Sequence, residues 1–123
     1  MARILIADDS RTVRAAVARL VEAMGHEPVA VASLHDAVDE LERAPFDLLL
    51  LDVLTGDWGP LRRVQGSANK VRVVLFSGRG GDRLRGALDA SAARFVVSKA
   101  GGVEPLEGAI DAVLRAGRPS EPG

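Results

Sequence analysis

Asp47-Leu48-Leu49-Leu50-Leu51-Asp52 is the stretch on which the fold turns. Four consecutive leucines without polar alternation describe a strand covered on both faces, and such a strand belongs in the middle of a parallel sheet flanked by helices. This one ends on an acid. Outward from it, three more apolar runs end on residues suited to phosphate or metal chemistry. Ile4-Leu5-Ile6-Ala7 leads into Asp8-Asp9, Val73-Val74-Leu75-Phe76 into Ser77, and Phe95-Val96-Val97-Ser98 into Lys99. In an open parallel sheet the carboxyl ends of all strands lie along one edge, so these scattered residues converge in one crevice there.

Between the apolar runs lie segments of helical period, an alternation repeated five times that describes an α/β fold of parallel strands and crossover helices. The strands are expected at Arg3–Ala7, Pro28–Ala32, Asp47–Asp52, Val71–Ser77 and Arg94–Ser98. Ser10 caps the first helix, whose apolar stripe is Val13, Val17, Leu20, Val21 and Met24, and Gly25 stops it. Ser33 caps the second, which buries Leu34, Ala37, Val38 and Leu41 before Ala44-Pro45. A loop from Thr55 to Pro60 precedes a third helix that offers only Leu61 and Val64 and is expected to last about two turns. The fourth helix spans Asp82 to Ser91, and the fifth begins near Glu104-Pro105 and buries Leu106, Ile110, Val113 and Leu114. The last residues, 118–123, are expected to form a disordered tail.

A chain of 123 residues, nearly half of them apolar at 47%, makes one globular domain. A net charge of −1 gives no electrostatic argument for nucleic acid or a membrane surface. No stretch reads as a signal peptide or a membrane span, and the chain is expected in the cytoplasm. The absence of cysteine excludes disulfides, a thiol nucleophile and sulfur-ligated zinc. Only Lys70 and Lys99 are lysines in a chain that otherwise uses arginine, which gives a lysine at a strand end more weight.

Three carboxylates in one crevice, Asp8, Asp9 and Asp52, raise one another's pKa unless a cation intervenes. A hard divalent ion with oxygen ligands suits them, and Mg²⁺ fits better than zinc. Lys99 and the Ser77 hydroxyl add a point charge and a hydrogen bond for the remaining oxygens of a bound phosphoryl group. A central carboxylate can itself accept that group as an acyl phosphate, and Asp52, between the acidic pair and the Lys-Ser pair, is the best placed to do so.

With paired acids, central Asp, Ser and Lys in this order, residues Arg3 to about Ala116 resemble the receiver domain of bacterial two-component response regulators, of the chemotaxis-regulator type. The resemblance implies a receiver domain over residues 1–117 with a doubly wound, flavodoxin-like five-stranded sheet in the order 2-1-3-4-5. It implies Asp52 as phosphoacceptor, Asp9 as a direct Mg²⁺ ligand, Asp8 holding the metal's water, and Leu54 offering its backbone carbonyl. Ser77 and Lys99 would contact the phosphoryl oxygens. The partners implied are a histidine kinase or phosphotransfer protein and a downstream effector, read through the face of the fourth helix, fifth strand and fifth helix. A weak homodimer is also compatible, and no enzyme activity on external substrates is expected.

Departures from the family pattern accompany the matches. Gly56 and Ala100 stand where prolines are usual, and the Asp52 to Ser77 interval is short. The family's switch aromatic stands three residues before the lysine; here that place is Val96, with Phe95 one step earlier. A one-residue shift sends a side chain to the opposite face unless a bulge restores it, and the expectation is that the aromatic switch is absent. The departures favour an alternative, a phosphorylation-independent interaction module, with sheet surface exposed between the second and fourth helices where the third is thin. A phosphatase of the haloacid-dehalogenase-like kind is disfavoured because Leu54 occupies the place of its acid-base residue. His26 and His35 read as surface histidines, Trp58 as a loop anchor, and Arg79 as a solvated arginine.

Overall fold

The computed structural model describes residues 1–52, 58–66, 71–78 and 82–116. Leu54, Gly56, Arg79 and the tail therefore lie outside the described residues. The elements run β1 Arg3–Ala7, α1 Arg11–Ala23, β2 Glu27–Val31, α2 Leu34–Arg43, β3 Leu48–Asp52, α3 Gly59–Gln65, β4 Val73–Ser77, α4 Asp82–Ser91, β5 Phe95–Ser98 and α5 Pro105–Ala116. A short 3-10 turn, Lys99–Gly101, joins β5 to α5. The strands pair in parallel in the order β2-β1-β3-β4-β5, the flavodoxin-like doubly wound sheet expected from the sequence.

Alternation along the three inner strands divides the core into two layers. Leu5, Leu49, Leu51, Val73 and Leu75 face α2, α3 and α4, meeting Ala37, Leu41, Leu61, Val64 and Ala87. Ile4, Ile6, Leu48, Leu50, Val74 and Phe76 face α1 and α5, meeting Val17, Val21, Leu106, Ile110 and Val113. The run of leucines is thus split between the two layers, two to each, and all four are buried. Each such burial stabilises by roughly 2 kcal/mol relative to exposure, which is why the run admits only a central place.

Local signals set the helix ends. Ser10 Oγ accepts the Val13 N–H at 3.3 Å, and Ser33 Oγ accepts that of Asp36 at 3.1 Å. Gly25, at φ +87°, takes the left-handed conformation that ends α1. Strand boundaries differ from the expected ones by one or two residues. β2 starts at Glu27 because the Glu27 N–H donates to Ala2 O at 2.8 Å. Pro28, which has no N–H to give, is tolerated there because β2 is an edge strand. β4 starts at Val73, although the carbonyl of Arg72 already accepts the Leu49 N–H at 2.8 Å.

One expectation is overturned. α3 is short, as predicted, yet between α2 and α4 the described apolar residues of β3 and β4 on its side of the sheet are buried, Leu49, Leu51, Val73 and Leu75 lying in one cluster with Leu61 and Val64. A side chain that the sequence reading passed over holds the helix there. The Gln65 amide donates to Val71 O at 2.7 Å and to Ser91 O at 2.8 Å, and its oxygen accepts the Val71 N–H at 2.8 Å. It thereby ties the end of α3 to the approach to β4 and the end of α4. His26 also differs from expectation, being half-buried with Nδ1 accepting the Ala2 N–H at 3.0 Å. His35 is exposed, as expected, and faces Asp39 across one turn.

Candidate functional site

β1 and β3 are adjacent and in register, Ala7 beside Leu51, so the residues that follow them emerge together at the carboxyl edge. There Asp8, Asp9 and Asp52 each offer a carboxylate oxygen, all within 4.8 Å of one another. Asp8 is 2% exposed, Asp52 partly buried and Asp9 exposed. The Asp8 carboxylate is held on one side by the Ser10 N–H, which donates to Oδ1 at 2.8 Å, and its backbone oxygen accepts Arg14 Nη1 at 2.8 Å. Arg14 was not singled out in the sequence. It stands one turn beyond the Ser10 cap, where α1 brings it back over the β1 end, but one arginine among so many gives no signal of its own.

Lys99 arrives from the far side of the sheet. Its Nζ lies 2.9 Å from Asp8 Oδ2 and 3.0 Å from Asp52 Oδ1, bridging the two carboxylates. The strand that delivers it ends in a turn also missed from the sequence. Ser98 Oγ accepts the Ala100 N–H at 3.1 Å, and this local bond closes the 3-10 turn that carries Lys99. A serine cap thus shapes the segment in which Ala100 stands at the place where a proline was expected. The lysine stem runs beside Gly78, where an added Cβ would come within 3.7 Å of it, and the ammonium lies 5.5 Å from the Phe76 ring centre.

Charge and burial act together on these groups. Burial raises the Asp52 pKa; the hydrogen bond from Lys99 opposes it, while the charges of Asp8 and Asp9 add to the rise. Burial alone would lower the Lys99 pKa, but hydrogen bonds to Asp8 and Asp52, together with their charges, hold it above its ordinary value. Three carboxyl groups thus face a single ammonium. A hard cation with oxygen ligands fits such a donor set: exposed Asp9 and partly buried Asp52 present oxygens to it, and Asp8 is already orientated by Ser10.

Ser77 closes β4, buried and beside Ser98 of β5, on the same edge of the sheet. The structure therefore brings Asp8, Asp9, Asp52 and Lys99 into one cluster and sets Ser77 at the adjacent strand end; Leu54 lies outside the described residues. β4 and β5 pair without a bulge, Val74 to Phe95, Leu75 to Val96 and Phe76 to Val97. Val97 packs in the layer of α1 and α5, so Phe95, two residues earlier, shares that face, and Val96 looks the other way. The Phe95 side chain is therefore on the opposite face of β5 from Val96, the place expected for a switch aromatic.

Solved response regulators share this fold. A solved two-component response regulator of the LuxR family from Aurantimonas sp. SI85-9A1 superposes with a TM-score of 0.79 at 25% identity, over 99% of this chain and 91% of its own. Chemotaxis protein CheY4 of Vibrio cholerae gives a TM-score of 0.78 at 20% identity, over 92% and 98%. The Thermotoga maritima response regulator TrrA, solved in complex with Mg²⁺ and BeF, gives 0.76 at 19% identity, over 92% and 99%. No curated protein sequence matches the chain. None of the described helices is long and apolar enough to cross a membrane. The family model of the response regulator receiver domain matches residues 4–111, and with the sheet order and the acidic cluster at its carboxyl edge this chain belongs to that family.

Proposed function

We propose that this receiver domain is a phosphorylation switch in which Asp52 takes a phosphoryl group from a partner histidine kinase or phosphotransfer protein. The observation that carries the reading is the Lys99 ammonium, 3.0 Å from Asp52 within the same cluster as Asp8 and Asp9. Asp8, Asp9, Asp52 and the Leu54 carbonyl are the proposed Mg²⁺ ligands, directly or through water. When bound, the ion supplies charge neutralisation for the oxygens around phosphorus.

The chain's own residues do the rest. An Asp52 oxygen attacks phosphorus in line, the bond from phosphorus to the donor imidazole nitrogen breaks, and an acyl phosphate forms. Lys99, hinged on its capped turn, keeps its N–H groups within reach of whatever Asp52 carries. Ser77 donates its hydroxyl to a phosphoryl oxygen and draws the start of the β4–α4 connection inward, which biases α4, β5 and α5, the face a downstream effector reads. Leu88 at 37%, Phe95 at 42% and Val96 at 44% exposure supply apolar surface on those elements.

Incubation with acetyl phosphate, with and without Mg²⁺, followed by intact mass, tests the reading. One Mg²⁺-dependent phosphoryl adduct is expected, absent from Asp52→Asn; an adduct that persists in the variant overturns the assignment. The register of β5 favours a second reading, a phosphorylation-independent interaction module, because no aromatic side chain occupies the switch position at Val96. Unchanged partner affinity in Asp52→Asn, and in the parent chain with and without acetyl phosphate, is what that reading requires.

A further inference from the structure

Of the three carboxylates in the crevice, two are held by partners and one is not. Asp8 receives the Ser10 N–H and the Lys99 ammonium, and Asp52 receives Lys99 as well. Asp9 is exposed and makes no hydrogen bond or ion pair among the described residues. The direction of its carboxylate is therefore left to the backbone that carries it, above all to the peptide that joins Asp8 to Asp9.

That peptide lies just beyond the sheet. The Asp8 N–H still reaches a neighbouring strand, donating to Val31 O at 3.2 Å. The Asp8 carbonyl lies past the final paired residues, Ala7 with Val31 and Ala7 with Leu51, where the ladder has no further N–H to give. Asp8 is 2% exposed, so water serves that oxygen poorly, and a buried carbonyl needs a donor. Arg14 Nη1 supplies it at 2.8 Å. Among the described residues this is the one hydrogen bond made to the Asp8–Asp9 peptide.

Arg14 is half-buried and forms no ion pair among the described residues, although three carboxylates lie at the strand ends nearby. Its charge would repel a divalent ion in the crevice, so charge is not what suits it to this place. A long side chain with several donors, reaching the carbonyl from the first turn of α1, is.

We propose that Arg14 is a positioning residue for the metal: by holding the Asp8 carbonyl it fixes the Asp8–Asp9 peptide, and with it the direction in which the otherwise untethered Asp9 carboxylate meets Mg²⁺. The proposal rests on the reading of Asp9 as a Mg²⁺ ligand. Groups that orient metal ligands commonly govern affinity by about 10–100-fold.

Removing Arg14 has two effects of opposite sign. Loss of a positive charge near the crevice tightens Mg²⁺, whereas loss of the restraint on Asp9 weakens it. Isothermal titration calorimetry of the full chain with Mg²⁺ alone, without a phosphodonor, reads the balance. Arg14→Met keeps the stem, removes the donor and is expected to weaken Mg²⁺ about tenfold. Arg14→Gln, neutral and shorter, should do the same and stands in if the first variant fails to fold. Arg14→Lys, which keeps a donor on a long stem, should recover most of the affinity. Arg11→Met removes an exposed charge from the same turn and should leave affinity unchanged or slightly tighter. Labelling of Arg14→Met by acetyl phosphate should be slow at limiting Mg²⁺ and reach the parent rate at saturating Mg²⁺. Affinity unchanged or tightened in the Met and Gln variants, whatever their melting temperatures, leaves Arg14 a purely structural role and overturns the proposal; a labelling defect that saturating Mg²⁺ does not repair overturns it too. A parent chain that takes up no Mg²⁺ overturns the metal reading beneath it as well, so the two failures are distinguishable.

Discussion

Asp52 and Lys99 define the behaviour of the site at the scale of single residues. Because the folded Asp52 pKa is raised, its ionisation works against folding. That contribution is favourable below the ordinary carboxylate pKa and is lost as pH rises through the raised value. Asp52→Asn is therefore expected to raise the melting temperature of the metal-free protein at pH 7, and calorimetry with excess Mg²⁺ should narrow the gap as the ion offsets the repulsion in the parent. Lys99→Met removes the cation between two carboxylates, one of them almost wholly buried. With the lysine itself only partly buried, the loss should be roughly 2 kcal/mol, between the values for exposed and buried pairs. Urea denaturation should show most of it restored by Mg²⁺, whereas labelling by acetyl phosphate should remain slow. Asp8, Asp9, Asp52 and Lys99 were legible because each closes an apolar run. Arg14 and Ser98 were not, since their roles depend on where a helix turn and a loop turn point.

The elements carry their own strain and restraint. Ala92, directly after α4, sits at φ +54°, a conformation that costs a residue with a Cβ about 1 kcal/mol and costs glycine little. Ala92→Gly should stabilise the protein by roughly that amount, as measured by urea midpoint at unchanged m-value. Gln65 is the reverse case, a side chain whose three hydrogen bonds close a gap between elements. Gln65→Ala should cost about 2–3 kcal/mol, since it strands backbone groups of Val71 and Ser91, and hydrogen exchange should rise first at the end of α3 and the approach to β4. Helix caps at Ser10 and Ser33 could be read directly, because a cap is a short-range device. The Gln65 tether spans 26 residues to Ser91, and no local pattern announces it.

For the molecule as a whole, the two core layers lie on opposite faces of the inner strands, and the sole tryptophan is well placed to report on one of them. Trp58 immediately precedes α3, packs on the layer of α2, α3 and α4, and lies against α4, its Nε1 3.6 Å from where a Gly86 Cβ would stand. If phosphorylation displaces α4, Trp58 emission should shift in intensity or wavelength when Mg²⁺ and beryllofluoride are added together. Unchanged emission in a protein that does take up phosphoryl groups would place the response elsewhere and favour the phosphorylation-independent reading. Position 86 leaves ordinary van der Waals room for a methyl group, so a Gly86→Ala control keeps the packing while raising helix propensity.

By itself the amino-acid sequence determined the order of elements, the central place of the leucine strand, the covering helices and the crevice to which the acids and the lysine belong. All of these follow from short-range periodicity and from the rule that parallel strands share one carboxyl edge. Tertiary structure alone decided that Lys99 bridges Asp8 and Asp52, that α3 covers its part of the sheet through Gln65, that Phe95 and Val96 take opposite faces without a bulge, and that Arg14 reaches the Asp8 carbonyl. Each of these depends on distances between residues remote in the chain, and such distances are set by how whole layers pack, which no local pattern encodes.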